Sequence, residues 1–176
     1  MGFYMECLEA IKGRRSIRKF KDSPVGKEII EELLSAAQMA PSAGNLQARD
    51  FVVVTNKITK QKLAKAALDQ SFIDQAPVAI VAIANIERSS RIYRSRGELY
   101  AIQDATAAIM NLLLAAYSKG LATCWVGAFD EYAVSELLGL PQRATPVAII
   151  PVGYSDEKPA ATARMGLEKV VHWETW

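Results

Sequence analysis

Three short stretches carry most of the side chains that could do chemistry. Arg14-Arg15-Ser16-Ile17-Arg18 places three guanidinium groups and a hydroxyl within five residues. Guanidinium forks match the oxygens of a phosphate or another polyoxygen anion, so this stretch could hold one; read alone, it could equally be a solvated basic turn. The second stretch, Ala40-Pro41-Ser42-Ala43-Gly44-Asn45-Leu46-Gln47, is polar for a connector between two apolar segments. Asn45 and Gln47 each offer a donor and an acceptor that could read the edge of a heterocycle, and Ser42 could meet a ring or a sugar. The same side chains could instead cap their own turn. The third, Gly120 to Phe129 (GLATCWVGAF), ends a strand in Val126-Gly127. A glycine there lets a backbone amide approach a flat ligand closely, or simply allows a turn. Cys124 is a nucleophile only with a base beside it, and the sequence holds one histidine, His172 near its end; a structural thiol is the alternative reading.

The sequence shows no metal-ligand cluster, no GxSxG, no Ser/His/Asp set and no Gly-rich phosphate loop. If the chain is an enzyme, a bound cofactor carries the chemistry.

The elements that must position these stretches follow from apolar periodicity. Helices are expected over residues 4–12, 25–39, 57–68, 98–119 and about 131–138. Pro41 ends the second and Gly120 caps the fourth. Strands are expected over 51–55, 78–83, 122–126 and 146–152; these runs are continuously apolar, which implies a central sheet covered by helices on both faces. Residues 85–97, rich in Arg and Ser, read as a long surface loop or an extra helix, and the chain becomes irregular from Ser155. The helix at 98–119 is apolar almost all round in its second half, so it must be buried all round. It could pack on a copy of itself across a two-fold axis, or lie at the centre of one subunit.

Composition bounds the rest. The chain has 176 residues, 51% hydrophobic and 23% charged, which suits one globular domain over 1–176. A net charge of +2 gives no reason to propose nucleic acid or an anionic membrane as partner. The two cysteines, far apart, read as free thiols in a reducing compartment. With no apolar signal core and no run of the ~18 apolar residues that span a bilayer, a soluble, cytoplasmic protein is expected.

Taken in order, the segments RRSIRKF (14–20), APSAGNLQ before FVVV, ALDQSFIDQAPVAIVAI (67–83), YAIQDATAAIMNLLLAAYSKGLATCWVGAF (100–129), PVAIIPVGY (146–154) and a terminal R-x-x-L-E-x-V-V-H-W (164–173) resemble the FMN-dependent nitroreductase family. The resemblance implies an α+β fold with a central, mostly antiparallel sheet flanked by helices, and a two-fold homodimer through the long helix. It implies FMN at the interface, NADH or NADPH as electron donor, and ping-pong hydride transfer to a small-molecule acceptor such as a nitroaromatic, a quinone or oxygen. Carried over by motif, Arg14, Arg15 and Ser16 would hold the phosphate, ribityl and pyrimidine end of FMN. Pro41, Ser42 and Asn45 would line the flavin from the other subunit, and Gln70 would reach the pyrimidine edge. The amides of Val126 and Gly127 would sit beside the ring, one facing N5, with Arg164 as a second phosphate contact, joined or not by Lys158. No side chain is assigned as catalytic acid or base. The chain departs from the family pattern in having Ala48-Arg49 where many members have Pro-Trp, in the sparse Ala160-Ala161-Thr162-Ala163 before Arg164, and in its shortness, which leaves 85–97 to form the substrate-facing wall. Dehalogenation, flavin fragmentation or flavin reduction are alternative chemistries within the resemblance. A flavin carrier or redox sensor without turnover, or a dimeric structural protein, are alternatives outside it.

Overall fold

In the computed structural model, which describes residues 5–176, the two central strands show why the apolar runs are continuous. Strand β2 (Val78–Asn85) pairs antiparallel with β4 (Ala144–Gly153), and successive side chains alternate between two buried faces. Val78, Ile80 and Ala82, with Ala148, Ile150 and Val152, pack on α2 (Lys27–Gln38) and α6 (Gly97–Ser118). Ala79, Val81 and Ile83, with Ile149, join residues of α3 (Lys57–Ala66), α4 (Phe72–Gln75) and α7 (Glu131–Leu138) on the other face. The two-sided core therefore accounts for the absence of polar alternation.

The sheet order is β1 (Arg49–Val54), β2, β4, β3 (Ala122–Thr123), every named pair antiparallel. This is the α+β arrangement the sequence implied. Two short helices complete the set: α1 (Cys7–Gly13), whose expected first residue at position 4 lies outside the described residues, and α5 (Ile86–Tyr93).

Two expectations change, and an open one closes. The strand expected over 122–126 pairs only at Ala122–Thr123, with Val126 bridging alone to Ile149; the shared register puts Cys124 opposite Pro151, which has no N–H to give the ladder. Of the two readings of the polar segment 85–97, the extra helix holds: it is α5 followed by a single turn at Arg94–Arg96. With α6 it forms one helical stretch, Ile86–Ser118, long and apolar enough by composition to cross a membrane, contrary to expectation. Its inner face is a core face, holding Ala105, Ala108, Ile109, Leu112 and Leu113 against the sheet and α2.

The end of α6 follows the sequence rule. Gly120 sits at φ 73°, its N–H donates to Tyr117 O at 2.9 Å, and the Leu121 N–H donates to Ala116 O at 2.9 Å. This paired return is the Schellman stop that glycine permits.

Candidate functional site

One edge of the sheet gathers the first and third stretches. Ser16 bridges in parallel to Thr123, and the Ile17 N–H donates to Thr123 O at 2.9 Å, so Arg14-Arg15-Ser16 runs alongside β3 as a fragment of a further strand. Next to it, the Val126 N–H donates to Ile149 O at 3.0 Å and is buried in the sheet. Gly127 is exposed, and its N–H has no protein acceptor among the described residues. Of the two amides expected beside a ring, only that of Gly127 is therefore available. Gln70 reaches the same place: its Nε2 donates to Ala67 O at 2.8 Å and to Ala128 O at 3.2 Å, which leaves its carbonyl oxygen to accept. The turn that delivers it carries Leu68 and Asp69 at φ 57° and 58°, a conformation that non-glycine residues seldom adopt.

The arginines converge on a basic corner. Arg14 and Arg15 line a cavity of about 270 Å³ with Lys158, Glu157 and Tyr117, between the end of α1 and the end of α6. Arg15 also borders a neighbouring cavity of about 320 Å³ with Lys12, Thr162 and Arg164. Its Nη1 donates to Lys12 O at 2.6 Å and Arg14 O at 2.9 Å, capping the last carbonyls of α1 and fixing the guanidinium. Arg164 donates to Thr162 Oγ1 at 2.7 Å. Among the described residues lining the two cavities the one carboxylate, on Glu157, is occupied by the backbone N–H groups of Arg18 and Lys19. A corner of this charge suits a phosphate.

Cys124 lies behind this edge, buried, and its thiol donates to Trp125 O at 3.8 Å. Burial pushes the thiol above its ordinary value, which the charge of Arg18 opposes in part. The structural reading of this cysteine follows, since an activated thiol needs the opposite shift.

The second stretch, residues 40–47, stands at the other edge, where it leads into β1. Neighbouring strands lie ~4.8 Å apart, so three steps across the sheet put about 14 Å between the β1 and β3 edges. One chain alone does not bring Pro41, Ser42 and Asn45 to Arg14, Gly127 and Gln70. In the loop, Pro41 and Asn45 are exposed, while Ser42 Oγ accepts from the Gln47 N–H at 3.0 Å and so caps its own turn. Its hydroxyl hydrogen stays free to donate. Gly44, Asn45 and Gln47 have φ of 54°, 55° and 51°. At Gly44 a side chain would also meet the Tyr93 hydroxyl, which lies 2.6 Å from where its Cβ would stand.

Two buried charges that hold this loop were not singled out from sequence as site residues. Arg49 donates from Nη2 to Gln38 O at 2.8 Å and Ala40 O at 2.9 Å, and from Nε to Gln38 Oε1 at 2.9 Å. Asp104, in the middle of α6, accepts from the Ala43 N–H at 3.0 Å and the Ala48 N–H at 3.1 Å. An acid on the apolar side of a helix must find partners, and that was the signal available for Asp104. Arg88 on α5 adds bonds to Gln47 O and Arg49 O and an ion pair with Asp50 at 2.9 Å.

The comparison with known proteins is decided by the family model for the nitroreductase family, which matches residues 11–72 and 67–154. The chain belongs to the nitroreductase family. A relative from Methanothermobacter thermautotrophicus, described as a putative NADH dehydrogenase/NAD(P)H nitroreductase, is 34% identical over 98% of this chain and 88% of its own length. The FMN reductase [NAD(P)H] of Bacillus subtilis is 30% identical over 97% of this chain and 74% of its own. Among solved nitroreductase-fold structures, the NADPH:FMN oxidoreductase from Vibrio harveyi complexed with NAD+ superposes with a TM-score of 0.90 at 29% identity, covering 97% of this chain and 77% of that one.

Proposed function

We propose that this chain is an FMN-dependent NAD(P)H oxidoreductase that passes electrons to nitroaromatics, quinones or similar small acceptors, working as a two-fold homodimer in the cytoplasm with residues 1–176 as one FMN-binding domain. The observation that carries the reading is the β3 edge, where an unpartnered Gly127 amide, the Gln70 carbonyl and the Arg14-Arg15-Ser16 segment stand together in a chain of this family. Relatives described as FMN reductase and NADPH-flavin oxidoreductase support the cofactor and the donor.

The residues fit the group. Arg15 and Arg164, with Lys158 and Arg14 beside them, would take a phosphate, and their carbonyl caps hold the forks in place before any ligand arrives. The Gly127 N–H would donate to the edge of a planar ring, and Gln70 would offer its oxygen to a ring N–H. Ser42 and Asn45 would complete the wall from the second subunit. When bound, FMN supplies two-electron hydride chemistry, which none of the side chains here can provide. The Gly127 N–H, held in place by the fold, and a nearby cation would favour negative charge on a bound ring system. Donor and acceptor would occupy the same exposed face in turn, giving ping-pong kinetics.

The dimer reading rests on unpartnered apolar surface. On the outer face of α6, Leu99, Ile102 and Met110 are 44%, 36% and 40% exposed. Beyond Glu157 every residue is exposed, among them Met165, Leu167, Val170, Trp173 and Trp176. Large apolar side chains left exposed in these numbers suit an interface. A second copy related by a two-fold axis would cover α6 and could bring one chain's 40–47 loop to the other's β3 edge.

The reading is tested by purifying the protein, measuring its flavin and its mass in solution, and following NADH and NADPH oxidation with a quinone or nitroaromatic. A yellow dimer with parallel double-reciprocal lines is expected. A colourless protein that does not take up added FMN would overturn it.

A further inference from the structure

We propose that Arg49 and Asp104 form a buried clamp that presets the 40–47 loop for the flavin, making both positioning residues of the site although neither is exposed enough to touch a ligand. The proposal rests on the flavin reading above. Arg49 is 2% exposed and Asp104 4%, yet every side-chain hydrogen bond they make goes to the loop or to the end of α2 that feeds it. Long charged side chains are seldom buried unless paired, and here the pairing is with one segment.

The two grips are complementary. The Arg49 fork holds the carbonyls of Gln38 and Ala40, with Pro41 O at 3.4 Å, and so fixes the chain entering the loop. The two oxygens of Asp104 take the N–H groups of Ala43 and Ala48, which bracket Gly44, Asn45 and Gln47. Those three residues hold left-handed backbone, which a free segment would leave for commoner conformations. With both ends pinned, the tip is held in the unusual shape while Asn45 faces outward. Charge supports the geometry: burial pushes the Arg49 guanidinium below its ordinary value, and Asp104 pulls it back. Arg88 and Asp50 also face this network, through the Gln47 and Arg49 carbonyls.

A ligand that needs one loop shape binds with an apparent Kd raised by the inverse of the fraction of molecules holding that shape. The clamp keeps that fraction near one. Asp104 also lies on α6, whose outer stripe is the proposed dimer face, so the helix that would meet the partner sets the loop that would reach into the partner's flavin site.

The test compares wild type, Asp104→Asn and Arg49→Lys as flavin-free protein. FMN affinity is measured by flavin fluorescence titration, the bound absorption band is recorded, and amide hydrogen exchange is followed along the chain. Asp104→Asn keeps the shape but removes one acceptor and the charge facing Arg49; Arg49→Lys keeps a charge but lacks the planar fork. Each is expected to raise the FMN Kd tenfold or more, alter the shape of the bound flavin band and speed exchange locally at 43–48, with folding and solution mass unchanged. A purely structural role would lower the melting temperature and leave affinity and band shape alone. Wild-type Kd and band shape in both variants would overturn the clamp, and should Asp104→Asn fail to fold, Arg49→Lys decides by the same readings. Failure of the wild type itself to bind FMN would overturn the flavin reading, and the clamp with it, and is seen without either variant.

Discussion

Arg15 stands where two cavities meet, with its Nη1 tied to the end of α1 and with Lys158 lining one cavity and Arg164 the other. A charge-assisted hydrogen bond contributes about 1.5–3 kcal/mol. Arg15→Ala is therefore expected to weaken FMN binding by about ten- to a hundredfold, read as flavin lost on dialysis. Unchanged retention would make Arg15 a helix cap only. The buried Cys124 and exposed Cys7 give a second contrast at this scale. Because burial raises the Cys124 thiol, it stays protonated where an ordinary thiol begins to ionise. The sign follows: below the unfolded value its contribution to stability is constant, and as pH rises towards the raised folded value the unfolded chain releases its proton first and stability falls. Mass spectrometry after iodoacetamide treatment near pH 8 should show alkylation at Cys7, with Cys124 modified only after denaturation. Rapid labelling of Cys124 in the folded protein would contradict its structural assignment.

At the scale of elements, α6 has two faces with separate tasks. The inner face is core, and the exposed outer stripe of Leu99, Ile102 and Met110 is the proposed dimer face. A carboxylate placed on that stripe would meet its own copy across a two-fold axis in apolar surroundings. Met110→Glu should give a monomer by size-exclusion chromatography and lose FMN at the same time, because the site would need both chains; a monomer that keeps FMN would show the site to be complete within one chain. The long helix, β2 and β4 were legible in sequence because both faces of each are apolar. Helix α5 was legible only as one of two readings, since of its residues only Ser89 is fully buried. The strand at 122–126 was only half legible, because its apolar residues continue where its pairing stops. Among the candidate site residues, Arg14-Arg15-Ser16 and Gly127 were singled out by local chemistry, which left a basic turn and a turn glycine equally open until the resemblance chose between them. The engaged Val126 amide and the Asp104 and Arg49 bonds could not be read in this way, since they depend on which distant carbonyl or amide the fold brings alongside.

For the whole molecule, the strand order divides the site. The basic corner, the Gly127 amide and Gln70 lie at the β3 edge, the 40–47 loop at the β1 edge, and the proposed dimer is the economical way to join them. The central claim is that the assembled site holds a flavin that a nicotinamide donor reduces. The measurement that tests it most directly is anaerobic mixing of the purified, FMN-loaded protein with NADH and, separately, NADPH, watched at the flavin absorption band. The account predicts bleaching within seconds by at least one donor, reversed on adding a quinone or nitroaromatic. A bound flavin that neither donor bleaches would contradict it and leave a flavin carrier in place of a reductase.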